Sequence, residues 1–107
     1  MGDGQKTKRR AQPRTKIGLD VLCSSGGEEG EAILILKNLS TSGALLEPAT
    51  IRPAIGDSVT IWLQVERDEQ PHSVHCSVAR HTPSGFAVEF RVPYSVVHHI
   101  LGKYGNS

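Results

Sequence analysis

The chain has 107 residues, of which 37% are hydrophobic and only 5% aromatic, and its formal net charge is +1. This length suits one domain with a single modest core and excludes two independent cores. With no secretory leader and no apolar run long enough to cross a membrane, the sequence predicts a cytoplasmic protein without a membrane partner.

Positive charge is concentrated at the start of the chain. Residues 1–16 contain six Lys and Arg against one acidic residue, which gives +5, whereas residues 17–107 contain six against ten, which gives −4. Any attraction for anions therefore belongs to the segment before the first predicted strand, residues 9–14, which we call the arm. Alone, such a segment is also typical of a solvated basic tail.

Short segments with alternating apolar and polar residues follow the arm and are separated by turn residues. This alternation indicates β-strands with one buried face. The predicted strands are 15–22, 31–39, 44–47, 58–65, 74–81 and 85–90. Together they predict an all-β fold, a six-stranded antiparallel (split) β-barrel that is closed or nearly closed. Residues 32–36 are apolar without interruption, so we expect the second strand to be buried on both faces.

The end of the chain has helical rather than alternating spacing. Val96, Val97, Ile100, Leu101 and Tyr104 recur as they would on one face of a short C-terminal α-helix. An isolated helix of this length is marginal, so we expect it to dock on the barrel. The predicted organisation is a disordered tail at 1–8, a barrel with a flexible arm at 9–92, and a helix and tail at 93–107.

A polar turn follows the second predicted strand. Asn38 and Ser40 are two residues apart, so a continuing strand would place their side chains on one face. Gly43 can adopt a positive φ, which would let the chain turn without a clash at Cβ. Such residues are also ordinary hairpin residues that bond their own backbone.

The arm carries two arginines four positions apart, Arg10 and Arg14. In an extended segment they are separated by roughly 13 Å. The planar donors of arginine match phosphate oxygens and the O6/N7 edge of guanine equally well. The pair therefore predicts a clamp for a ligand with two separated anionic or acceptor edges.

Taken in order, Arg10-x-x-x-Arg14 and Asn38-x-Ser40-x-x-Gly43 resemble the paired RxxxR and (D/N)xSxxG motifs of the PilZ family. That family consists of small β-barrel receptors for the bacterial second messenger cyclic di-GMP. The resemblance implies that the two arginines bind phosphates and guanine edges, and that Asn38 and Ser40 bond a guanine on the barrel surface. It also implies that Gly43 keeps the turn open to the ligand.

The likeness extends over residues 9–90 and includes the segments 43–46, 56–59 and 85–90. Ala87 stands where many family members have glycine. The resemblance further implies that Arg9 stacks on a guanine or helps to hold a second ligand molecule, because members bind one molecule or an intercalated pair. It implies an effector protein that responds to the bound state, in motility, biofilm or virulence control.

Other chemistries are less well supported by the sequence. His72-x-x-His75-Cys76 has metal-ligand residue types, but the two histidines of a strand at this spacing face opposite sides, so we expect no metal and no cofactor. No nucleophile has a base and an orienting acid nearby in sequence, which indicates a binding protein rather than an enzyme. We expect Cys23 and Cys76 to be buried thiols, and a disulfide or redox pair stays open.

Two other functions stay open. The barrel could bind RNA or single-stranded DNA through its arm, although few aromatic residues are available for stacking and the body of the chain is acidic. Alternatively, the barrel could be a protein adaptor that binds no nucleotide.

Overall fold

A computed structural model describes residues 14–26, 30–64 and 69–105. Within these ranges, six antiparallel strands form a closed barrel in the order β1-β2-β3-β6-β5-β4, followed by one helix. The elements are β1 (Thr15–Ser25), β2 (Glu31–Leu39), β3 (Gly43–Glu47), β4 (Ser58–Leu63), β5 (His72–His81), β6 (Phe86–Phe90) and α1 (Ser95–Gly105). The predicted all-β barrel with a short C-terminal helix is confirmed. The tail and the arm up to residue 13, with Arg9 and Arg10, lie outside the described residues.

Aliphatic side chains fill the barrel because the strands alternate as the sequence predicts. In β4, Val59, Ile61 and Leu63 are buried, while the residues between them are partly exposed. In β5, Val74 and Val78 point into the same core. Because of this alternation, each strand has one face toward solvent, and these faces together form the outer wall of the barrel. The candidate site lies on this outer wall.

Strand β2 differs from its prediction. Leu34 and Leu36 are fully buried, whereas Ile33 is 61% exposed and Ile35 is 36% exposed. The expectation of burial on both faces is therefore wrong. The physical reason is that α1 packs mainly beside β1 and leaves the outer face of β2 to solvent.

The helix is held on the barrel by its apolar face. Val96, Val97 and Ile100 are buried and join the core cluster. Just before the helix, the Tyr94 hydroxyl accepts a hydrogen bond of 3.0 Å from the backbone N–H of His75. Docking of this kind gives so short a helix the stability that it lacks alone.

Both cysteines are buried in the barrel and neither forms a disulfide. Burial raises the pKa of the Cys23 thiol to about 11 and that of Cys76 to about 12. A thiol with so high a pKa stays protonated at neutral pH and is a poor nucleophile.

Candidate functional site

A β-bulge in β1 lies beside Asn38. Lys16 pairs with Asn38 and Leu19 pairs with Leu36, so β1 contains one more residue than β2 over this interval. Gly18 lies within the bulge with a φ of +82°, a conformation that favours glycine. Bulges bend a strand and re-aim its side chains, and they are frequent next to functional sites.

A second bulge affects β2 itself. Leu36 pairs with Leu46 of β3 and Asn38 pairs with Leu45, so Lys37 is the extra residue. Lys37 is exposed, and its Nζ lies 4.0 Å from a carboxylate oxygen of Glu47. Asn38 therefore sits between two local irregularities of the wall, one on each side of β2.

The two bulges border a shallow groove of about 360 Å³ on the outer wall. It is lined by Lys16, Ile17, Gly18, Lys37, Asn38 and Leu45. Two lysines and one amide give this groove both positive charge and hydrogen-bonding capacity, which suits an anionic ligand. Two other grooves, of about 460 and 370 Å³, contain none of the motif residues that the structure describes.

Arg14 and Asn38 are in direct contact. The Arg14 guanidinium donates a hydrogen bond of 2.8 Å from Nη1 to Oδ1 of Asn38, across 24 residues of chain. The contact follows from the register of β1 and β2. Arg14 directly precedes β1, and Lys16, two residues further along the chain, pairs with Asn38. One residue of each sequence motif thus meets at the edge of the groove.

Ser40 has a structural task in the turn. Its side chain is buried, and its Oγ accepts hydrogen bonds from the backbone N–H of Ser42 at 3.3 Å and of Gly43 at 3.2 Å. The same hydroxyl donates to the backbone oxygen of Gly43 at 3.3 Å. Because β2 ends at Leu39, the strand argument that put Ser40 on the same face as Asn38 does not apply.

Gly43 is required for a reason that the sequence did not reveal. Its φ is not positive, unlike that of Gly18, so the expectation of a left-handed turn residue is wrong. Instead, β3 and β6 approach each other so closely here that a Cβ on Gly43 would lie 2.3 Å from the backbone oxygen of Val88. Glycine is therefore needed for close backbone packing beside the site.

Almost the whole chain matches one known protein family. The family model described as PilZ domain matches residues 8–103. The chain belongs to the PilZ domain family. Members of this family are cyclic di-GMP receptors rather than enzymes, in agreement with the resemblance of the two motifs.

A solved structure shares the fold of this PilZ domain. The "inhibitor of motility (MotI/DgrA)" of Bacillus subtilis is 17% identical and superposes with a TM-score of 0.65, covering 92% of this chain. The match spans 53% of that protein, so this chain corresponds to about half of its length. No curated protein sequence matches the chain significantly.

Sequence reasoning missed two residues that line the groove beside Asn38 in this PilZ domain, Lys16 and Lys37. Their positions depend on the bulges, because each bulge adds one unpaired residue and so shifts the register between strands, which the sequence motifs do not indicate. One signal was present, because Gly18 interrupts an otherwise regular strand and an isolated glycine there indicates a bulge.

The described part of this PilZ domain contains neither a metal-binding cluster nor a membrane-spanning helix. No cluster of three or more His, Cys, Asp or Glu side chains in residues 14–26, 30–64 and 69–105 is placed to hold a metal ion. Nor does the helix found in those ranges have the length and apolar content needed to cross a membrane.

Proposed function

We propose that this PilZ domain is a cyclic di-GMP receptor whose ligand lies on the outer wall of the barrel, in the groove beside Asn38. The observation that carries the proposal is the 2.8 Å hydrogen bond between Arg14 and Asn38. This bond joins one residue of each family motif, so a basic and a polar residue of the proposed site share one edge of the groove.

The chemistry of the groove fits this ligand. Cyclic di-GMP has two phosphates and two guanines, and charge-assisted hydrogen bonds from arginine suit both groups. Lys16 and Lys37 supply further positive charge. The ion pair of Lys37 with Glu47 is long and half exposed, so it contributes little stability and can be exchanged for a phosphate contact.

The motif residues have two different roles in this proposal, namely contact with the ligand and support of the turn. In this proposal Arg10 and Arg14 bind phosphates and guanine edges, Asn38 bonds a guanine, and Arg9 stacks on a base or on a second ligand molecule. Ser40 and Gly43 hold the turn that carries Asn38, since the Ser40 hydroxyl is engaged by the turn itself. A rigid turn keeps the amide in place before the ligand arrives.

We further propose that ligand binding orders the arm. Fixing one residue of a free chain costs about 1–2 kcal/mol of backbone entropy. Each charge-assisted hydrogen bond contributes about 1.5–3 kcal/mol, so two arginines with several bonds each offset the ordering of a short arm. Amide relaxation of residues 9–14 with and without ligand tests this step, and equal rigidity in both states would contradict it.

The output is proposed to be a protein contact. An arm folded over a nucleotide makes a new surface that an effector protein can recognise. A solved structure with this fold is named an inhibitor of motility, which favours motility among the possible pathways. Capture of a motility component by the protein with cyclic di-GMP, and not without it, is the expected result.

Calorimetric titration with cyclic di-GMP, GMP and cyclic mono-GMP tests the binding itself. We expect saturable binding of cyclic di-GMP only. Arg10→Ala and Arg14→Ala should each weaken it by about 2 kcal/mol or more, without changing the melting temperature of the empty protein. Arg91→Ala is the matched control, because Arg91 is exposed and its guanidinium bonds Ser58, outside the groove. Absence of binding by the unaltered protein would contradict the proposal.

A further inference from the structure

Arg80 belongs to the same lateral row of the barrel wall as Asn38. The pairing runs from Asn38 to Leu45 on β3, from Leu45 to Ala87 on β6, and from Ala87 to Arg80 on β5. Directly paired residues of antiparallel strands project to the same face. Since Arg80 is exposed, these four side chains share the outer face.

A third bulge lies at the Arg80 end of this row. Val78 pairs with Val88 and Arg80 pairs with Ala87, so Ala79 is an extra residue of β5. The bulges at Gly18, Lys37 and Ala79 therefore all adjoin one row. Since a bulge re-aims the side chains next to it, their alignment indicates a shaped surface rather than three unrelated irregularities.

The guanidinium of Arg80 is available for a ligand. Among the described residues it has no hydrogen-bond or ion-pair partner, in contrast to Arg52, which bonds backbone oxygens, and Arg91, which bonds Ser58. An exposed arginine that has no such partner, and that lies in a row of residues bordered by bulges, is a candidate for binding a ligand.

The centre of the row suits a flat ring. Leu45 is half-buried, and Ala87, whose side chain is a single methyl group, is only 4% exposed, so Leu45 forms most of the open apolar surface between Asn38 and Arg80. Three inter-strand steps separate these two residues, which is roughly 14 Å. A purine can lie over such a floor with its polar edges directed at the two ends, whereas a phosphate requires the charged groups around Arg14.

We propose that Arg80 is a specificity-determining residue of the cyclic di-GMP site, which binds the O6/N7 edge of one guanine. The inference rests on the proposed function and extends the site from β2 across β3 and β6 to β5. Arginine matches this edge with two parallel hydrogen bonds, and adenine offers a donor where guanine has O6. Arg80 would thus distinguish guanine from adenine.

The test compares four proteins, namely the unaltered chain, Arg80→Ala, Arg80→Lys and the control Arg91→Ala. Each is titrated with cyclic di-GMP and with its 7-deazaguanine analogue, which keeps both phosphates but lacks N7. Arg91 is a sound control because its backbone bonds that of His75, roughly 16 Å along β5 from Arg80.

We expect Arg80→Ala to bind cyclic di-GMP about tenfold more weakly, with an unchanged melting temperature because Arg80 is exposed. Arg80→Lys should stay weakened, since it keeps the charge but not the paired donors. The analogue should bind more weakly than cyclic di-GMP to the unaltered chain, and this difference should shrink in Arg80→Ala.

Two results would overturn the inference while the proposed function stands. One is normal affinity for cyclic di-GMP in Arg80→Ala. The other is an equal loss of both ligands in that variant, which would indicate a phosphate contact instead. If the unaltered protein does not bind cyclic di-GMP, the inference and the proposed function both fail.

Discussion

Gly43 and Val88 are so close that a Cβ on Gly43 would lie 2.3 Å from the Val88 backbone oxygen. The two residues belong to neighbouring strands, and a backbone atom cannot move aside as the end of a side chain can. The glycine of the second motif is thus part of the packing that brings β3 against β6. Any side chain at this position must separate the two strands next to the candidate site.

We therefore predict that Gly43→Ala lowers the free energy of unfolding by about 1–3 kcal/mol, the usual cost of overpacking. Urea denaturation measures this change. Gly102→Ala is the matched control, because Gly102 lies inside α1 with nothing within 4 Å of its Cβ position. Alanine there should raise the free energy of unfolding by up to about 1 kcal/mol. Equal effects of the two substitutions would contradict the packing argument.

Ser40→Ala should also destabilise the barrel. The buried hydroxyl accepts from the backbone N–H groups of Ser42 and Gly43, and its loss deprives the buried donor of Gly43 and the part-buried donor of Ser42 of this partner. We expect a decrease of about 1–3 kcal/mol in the free energy of unfolding. Ser42→Ala, at an exposed position of the same turn, should change it by less than about 0.5 kcal/mol. If Ser40→Ala were as stable as the unaltered protein, the turn would not depend on the hydroxyl.

Asn38→Ala should affect binding far more than stability. The hydrogen bond to Arg14 is exposed, so its loss should change the free energy of unfolding by less than about 0.5 kcal/mol. Affinity for cyclic di-GMP should fall by about 1.5–3 kcal/mol, measured by calorimetry. Asn38→Asp is the informative comparison, because a carboxylate still accepts from Arg14. Unchanged affinity in Asn38→Ala would remove Asn38 from the site.

Stability should decrease in alkaline solution because of the two buried thiols. Burial raises the pKa of Cys23 to about 11 and that of Cys76 to about 12, from an ordinary value of 9.0. Below pH 9 both states hold their protons and the full stability is present. Above it the unfolded chain loses them first, so the free energy of unfolding falls by about 1.4 kcal/mol per pH unit for each thiol.

The alkaline effect is measured by urea denaturation at several values between pH 8 and pH 10.5, about the range in which unfolded thiols ionise. The Cys23→Ala/Cys76→Ala double variant is less stable overall, but its stability should depend less steeply on pH. Parallel pH profiles for the two proteins would show that other groups cause the decrease.

Most of the fold could be predicted from the sequence because burial follows a period of two. Val59, Ile61 and Leu63 alternate with polar or partly exposed residues, and this pattern alone defines β4 and its inner face. The same reasoning failed for Ile33 and Ile35, since an apolar side chain on an outer wall looks like a buried one in sequence. Only the position of α1 reveals which faces are covered.

The candidate site was predictable in part. Short motifs identified Arg14 and Asn38, which the structure brings into contact. Lys16 and Lys37, which line the groove, and Arg80, which we propose as a further ligand contact, were not identified, because their positions depend on bulges and on register across several strands. Pairing between strands that are distant in sequence, such as β3 with β6, has no local signal. The role of Gly43 was misread for the same reason, since Val88 is a distant neighbour in the chain.

The closed barrel has a consequence for how a partner protein can attach. Since β1 pairs with β4 as well as with β2, every strand of the described barrel has a neighbour on both sides. Strand addition, in which a peptide extends a sheet through main-chain hydrogen bonds, therefore finds no free edge among the six described strands. Under the proposed function, a partner must instead recognise side chains, the helix or the bound nucleotide, so ligand binding has to alter the outer surface of the barrel wall.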